Sequence, residues 1–176
     1  MQNLPKEIFK AYDIRGIVGK SLTKEIIEVI GHAIGSEATA RGQHTIAIGR
    51  DGRLSGTEFI AALARGIQKS GINVIDVGRV ATPMVYFAAY HLDTHSAVMI
   101  TGSHNPPDYN GLKMVLGGET LSGDTIQALR TRIEQNNLTH GAGTYSQYDI
   151  GPEYIARIVS DIKLARPMKI TVDCGN

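Results

Sequence analysis

Apolar positions along this chain follow two spacings that take turns. Short runs rich in β-branched residues occur at Ile46-Ala47-Ile48, Val74-Ile75-Asp76-Val77, Ala97-Val98-Met99-Ile100 and Ile170-Thr171-Val172, each ending near Gly, Asp or Thr. Runs of that length, closed by turn residues, predict buried strands. Between them the spacing changes to three and four. Ile26, Ile27, Ile30 and Ile34 make one stripe, Phe59, Ile60, Leu63 and Ile67 a second, and Ile126, Leu129 and Ile133 a third. Each stripe predicts a helix with one face on a sheet.

The residues between these segments agree. Ser55-Gly56-Thr57-Glu58 has the form of a capping box, Thr82-Pro83 puts a cap residue before a first-turn proline, and Gly42 and Gly71 stand where helices stop. Strand and helix in alternation predict an α/β fold, a largely parallel sheet with helices on both faces, because right-handed crossovers return each strand beside its neighbours. In such sheets the working loops lie beyond the carboxyl ends of the strands.

The stretch 136–151, with "NNLTHGAG" at its centre, keeps neither spacing and is polar and Gly-rich. It reads as a linker or exposed hairpin. Residues 1–150 are therefore expected to form a first domain and 151–176 the truncated opening of a second. That opening carries a fresh stripe at Tyr154, Ile155, Ile158, Val159 and Ile162, followed by "KITVDCGN" as a strand. There is no internal repeat.

Composition narrows the function. With 176 residues, 42% hydrophobic, 20% charged and a formal net charge of +1, the chain carries no electrostatic footprint for nucleic acid or an anionic membrane. Cys174 is the only cysteine, which excludes an intramolecular disulfide and a thiolate zinc site and fits a reducing compartment. The opening "MQNLPKEIFK" lacks the apolar centre of a signal peptide, and no run of eighteen apolar residues occurs. A cytoplasmic location is expected.

Four polar clusters fall where working loops belong: "AYDIRG" (11–16), "GRDGR" (49–53), "TGSHNP" (101–106) and "NGLK" (110–113). The first two also suit salt-bridged turns, the second especially. Ser103 has three readings. It satisfies turn amides, as serine commonly does; it is a hydrolase nucleophile; or it carries a phosphoryl group. The second is disfavoured, because "TGSHN" is not a G-x-S-x-G elbow and an adjacent His diverges from the serine. The third fits the residue types best, since phosphoryl transfer needs donors, cations and a metal more than a strong base. Asn105-Pro106-Pro107 holds the turn extended. Lys113, on an apparent short strand, folds back as a cation, and His104 is suited to proton transfer or phosphate binding. His32, His44, His91, His95 and His140 have no metal-ligand spacing, and no Walker A or G-x-G-x-x-G sequence supports nucleotide binding.

Taken in order, "FKAYDIRG", "GRDGRLSG", "TPMVYFAAY", "TGSHNPPDYNGLK" and "VDCGN" resemble the α-D-phosphohexomutases, most closely the bacterial phosphomannomutase/phosphoglucomutase branch, along essentially the whole chain. The resemblance implies a three-layer α/β/α sandwich with a mostly parallel mixed sheet, the first of four domains around a cleft. It implies that Ser103 is a phosphoserine that interconverts hexose 1-phosphate and 6-phosphate, of mannose or glucose, through a bisphosphorylated sugar. Tyr12 and Arg15 would bind substrate, His104 and Lys113 would assist proton and charge movement, and the Ser103 phosphate would be one ligand of Mg2+. The other metal ligands are expected beyond Asn176. Glucose 1,6-bisphosphate is the implied activator, the remaining domains of the same polypeptide are the implied partners, and polysaccharide biosynthesis is the implied pathway. Without those domains the chain is expected to be inactive. The competing expectation is a phosphosugar-binding module of the same fold without turnover.

Overall fold

The computed structural model describes residues 4–173; Cys174 and the last residues of the expected closing strand lie outside them. Strands β1 (Ile14–Ile17), β2 (Thr45–Arg50), β3 (Asn73–Arg79), β4 (Ala97–Ile100), β5 (Tyr109–Leu116), β6 (Glu119–Thr120) and β7 (Tyr145–Gln147) form one sheet. Its order is β1-β5-β4-β2-β3-β7, with β6 against β5. The β4-β2-β3-β7 part is parallel, whereas β5 runs antiparallel to β4, β1 and β6. The sheet is thus mixed, and its antiparallel half is built around β5, which returns directly from β4 without a crossover helix.

Helices α1 (Lys24–Ala40), α2 (Gly56–Lys69) and α4 (Asp124–Glu134) cover one face, and α3 (Thr82–His91) covers the other. The apolar runs divide between the two faces with period two. Ile46, Ile48, Val98 and Ile100 join the larger cluster with α1, α2 and α4, while Ala47, Ala97 and Met99 pack with Val85, Ala88 and Ala89 of α3. Strands buried on both sides read as continuous apolar runs for this reason. The expected stripes of α1 and α2 are buried throughout; in α4, Ile126 and Leu129 are buried and Ile133 packs at the margin. Gly66 brings α2 against α1, since a Cβ there would stand 2.1 Å from the Glu28 carbonyl oxygen.

Local expectations fare unevenly. Gly42 and Gly71 follow α1 and α2 with positive φ, as helix stops do. Ser55 is the N-cap residue of α2 but makes no capping hydrogen bond; its hydroxyl accepts instead from Asn110 Nδ2 at 2.8 Å. Before α3 the cap position belongs to Ala81, and Thr82 is already helical. The stretch read as a linker is docked: Thr139 N donates to Ser36 Oγ, Gly141 N to the Lys69 carbonyl and Gly143 N to the Gln68 carbonyl. It then enters the sheet as the parallel edge strand β7.

Beyond it, α5 (Gly151–Asp161) forms on the expected stripe, but Ile155, Ile158 and Val159 are exposed. Residues 170–172, expected as a strand, take no strand conformation, and Ile170 and Val172 are exposed. A β-branched run is a strand only where a neighbouring strand takes its backbone groups, and these residues have no such neighbour among those described.

Candidate active site

Topology puts the working loops at one end of the sheet. β2 and β4 are parallel neighbours, with Arg50 opposite Ile100, so the loop after β2 and the β4–β5 connection leave the same edge side by side. β1 ends there too, and Val18 N donates to the Asp108 carbonyl at 2.8 Å. Between these loops lies an open cavity of about 760 Å³, lined by Val18, the 51–55 loop, Ser103, Asn105, Pro107 and Asp108.

Ser103 is exposed at its mouth. Its φ is +52°, a left-handed conformation that a non-glycine residue adopts at a cost of roughly 1–2 kcal/mol. Local hydrogen bonds hold it there. Ser103 N donates to Thr101 Oγ1 at 2.8 Å, while Asn105 N and Asn105 Nδ2 both donate to the Gly102 carbonyl, at 3.0 and 2.8 Å. The Ser103 hydroxyl lies 3.3 Å from His104 Nδ1. An adjacent His therefore does reach the serine oxygen, although among the described residues no acidic partner to the ring completes a triad.

The loop after β2 supports this connection from outside. Asp51 accepts from Arg53 N at 2.9 Å and from Gly102 N at 3.2 Å. The Arg53 guanidinium lies across the serine loop and donates to its carbonyls. The "GRDGR" cluster thus does the structural work expected of it, but its partner is the serine loop, which sequence order alone does not reveal.

Arg15 and Lys113 gather beside the cavity. β1 and β5 pair with Ile14 opposite Leu112 and Arg15 opposite Gly111, so the next step along the ladder sets Asp13 opposite Lys113. The buried Asp13 carboxylate pairs with the Arg15 guanidinium and lies 3.9 Å from Lys113 Nζ. Arg15 Nη1 reaches Asn105 Oδ1 at 3.4 Å, which ties this cationic pair to the serine loop. Asp13 was not among the expected site residues; its place between two cations is set by strand register. Tyr12 is 78% exposed. Tyr12, Arg15, His104 and Lys113 do not line the cavity itself, where Ser103 alone of the expected residues stands.

A metal would find few protein ligands here. Among the described residues no three His, Cys, Asp or Glu side chains gather to hold one, and of the two carboxylates in the cavity wall, Asp51 and Asp108, Asp51 is engaged by Gly102 and Arg53. The described residues do not by themselves make a magnesium site.

Comparison with known proteins agrees with this geometry. Residues 6–140 match the family described as phosphoglucomutase/phosphomannomutase, alpha/beta/alpha domain I. The chain is 57% identical over 173 residues to a phosphomannomutase/phosphoglucomutase of Pseudomonas aeruginosa, covering 98% of this chain and 37% of the relative. It is 54% identical over 178 residues to a phosphoglucomutase of Neisseria meningitidis, covering 100% of this chain and 39% of that one. A crystal structure of a phosphoglucomutase/phosphomannomutase family protein from Burkholderia thailandensis superposes with a TM-score of 0.90 at 48% identity, over 94% of this chain and 38% of that one. The chain thus spans under two fifths of the length of these relatives.

Replacing Asp13 by Asn leaves Arg15 and Lys113 without their shared counter-charge. Asp13→Asn is expected to lower stability by about 1 to 3 kcal/mol in urea denaturation; an unchanged midpoint would show that the pair is held by other groups.

A serine loop at the strand ends, a clasp from the neighbouring loop and the matched domain agree with one another, and the chain belongs to the phosphoglucomutase/phosphomannomutase family, of which it carries domain I.

Proposed function

We propose that this chain is the catalytic-serine domain of a phosphomannomutase/phosphoglucomutase, with Ser103 as the phosphoryl carrier. The observation that carries the proposal is the Ser103 hydroxyl itself: exposed at a cavity mouth, on a backbone held in a left-handed conformation by its neighbours. A serine that merely satisfied turn amides would not need its oxygen turned to solvent.

In this reading the Ser103 Oγ–P bond breaks as a sugar hydroxyl bonds to phosphorus, and the proton that hydroxyl gives up is made good on the departing Ser103 oxygen, which becomes a hydroxyl again. The bisphosphorylated sugar turns over in the cleft, and its other phosphoryl group returns to Ser103 Oγ. His104, with Nδ1 3.3 Å from that oxygen, takes the hydroxyl proton on the return step. A phosphoserine carries about −1.5 to −2 charge at neutral pH. Arg15 and Lys113, only partly offset by the single carboxylate of Asp13, supply the opposing field, and Arg15 has guanidinium N–H groups beyond those given to Asp13 and Asn105. Tyr12 is open to a sugar. The phosphoserine would give magnesium one oxygen, the carboxylates coming from outside this chain. Substrates are mannose and glucose phosphates, glucose 1,6-bisphosphate is the activator, and the role is cytoplasmic supply of activated sugars. Among the described residues no helix is long and apolar enough to cross a membrane. Residues from 151 onward, with the exposed face of α5, belong in this reading to a second domain.

Intact-protein mass spectrometry after incubation with glucose 1,6-bisphosphate tests the assignment in a polypeptide extended to the length of the relatives. One phosphoryl adduct is expected, absent in Ser103→Ala; an adduct that persists in that variant overturns it. The 176-residue chain alone is expected to give no measurable turnover in a coupled mutase assay, and turnover near that of the extended polypeptide would refute this. Lys113→Ala in the extended polypeptide is expected to lower kcat by roughly 10- to 1,000-fold with a smaller change in KM, as for charge that matters in transfer. An unchanged kcat removes Lys113 from the mechanism.

A further inference from the structure

Arg53 stands in the cavity wall beside Ser103, where an arginine would ordinarily be taken for a phosphate ligand. Its hydrogen bonds argue otherwise. Nη1 donates to the carbonyls of Pro106 at 2.6 Å and Tyr109 at 2.8 Å, and Nη2 donates to those of Ser103 at 3.1 Å and Asn105 at 2.6 Å. A guanidinium has four terminal N–H groups, and here each has a carbonyl of the serine loop. The remaining edge, Nε, faces Asp51 Oδ2 at 3.7 Å, and the side chain is 16% exposed. No terminal donor is left over for a ligand.

The geometry points to Arg53 as a positioning residue for phosphoryl transfer: it fixes the Ser103 oxygen in space through the loop backbone without touching the phosphate. This rests on Ser103 being the phosphoryl carrier. Four carbonyl dipoles converge on one planar cation, and without it they repel one another and lose the donor they share, the Pro106 carbonyl keeping only the Tyr109 amide at 3.0 Å. The left-handed turn at Ser103 then has little to hold it against relaxation. Gly102 is fitted to the same device, because a Cβ there would stand 2.0 Å from Arg53 Nε and 2.1 Å from its Cζ. The clasp closes on both sides: Asp51 accepts from Gly102 N before the serine, and Asn110, fully buried, donates to Ser55 Oγ after it. Lysine cannot replace this fork, since an ammonium has three donors radiating from one point.

Arg53→Lys therefore separates geometry from charge. In the 176-residue chain, amide hydrogen exchange over 102–109 is expected to speed up at least about tenfold in both Arg53→Lys and Arg53→Ala, with α1 and α2 protected as before. In the polypeptide extended to the relatives' length, both variants should lose about 100-fold in kcat with KM changed by less than about threefold, since a misplacement on the order of 1 Å costs about that much. Gly102→Ala should resemble Arg53→Ala and add little to it in the double variant.

Exchange that is unchanged in Arg53→Lys overturns the proposal, as does a raised KM with kcat intact, which would make Arg53 a ligand. Should α1 and α2 lose protection in the Arg53 variants, the role is global stability, and the proposal fails unless Gly102→Ala, with those helices protected, still shows the loop and kcat effects. If exchange responds as expected but wild-type Ser103 takes no phosphoryl group, the phosphoryl-carrier reading fails while the clasp stands.

Discussion

One cation meeting four carbonyl oxygens is the constraint on which the site depends. The β4–β5 connection has to turn the chain back antiparallel while holding a serine side chain outward, and that leaves the carbonyls of Ser103, Asn105, Pro106 and Tyr109 converging on the loop after β2. Carbonyl oxygens brought together in this way repel one another unless they share a donor. The Arg53 guanidinium, from the loop after β2, supplies a donor to all four, beside the Tyr109 amide that also reaches the Pro106 carbonyl. The left-handed φ of Ser103, the absence of a side chain at Gly102 and the two bonds accepted by Asp51 are then parts of a single solution.

The charge pattern around the loop follows from the sheet. Because β1 pairs with β5, Arg15 and Lys113, far apart in sequence, share the carboxylate of Asp13. Two cations around one buried anion leave a net positive field beside a serine loop, which suits a phosphorylated serine and a phosphorylated sugar. The cavity is open, and the chain spans 37% to 39% of the relatives' length. In the proposed reading the other walls and the metal carboxylates come from the rest of such a polypeptide.

Much of the fold was legible because burial writes a period into the sequence. The stripes of α1 and α2 are buried face for face as spaced, and β2, β3 and β4 fall on the apolar runs. The misses share one cause, a partner distant in sequence. Ser55 has the pattern of a cap but is claimed by Asn110. The polar stretch after α4 looks unstructured until Ser36 and the carbonyls of Gln68 and Lys69 accept its amides. Residues 170–172 have strand residues and, among the described residues, no strand to join. In the site, Ser103, Arg15 and Lys113 could be named from motifs. The local Asp13–Arg15 pair was within the salt-bridged-turn reading of 11–16, but Lys113 as the second cation on Asp13 and Arg53 as the support of the loop could not be named, since those roles are defined by register and by which loops the parallel sheet sets side by side.

The central claim is that Ser103 carries a phosphoryl group and gives it up to a sugar. A single-turnover experiment tests it most directly: the extended polypeptide, labelled with phosphorus-32 on its serine and freed of excess donor, is mixed with glucose 6-phosphate. The account predicts that label leaves the protein and appears in a bisphosphorylated hexose. Label that stays on the protein while the sugar remains singly phosphorylated would contradict it.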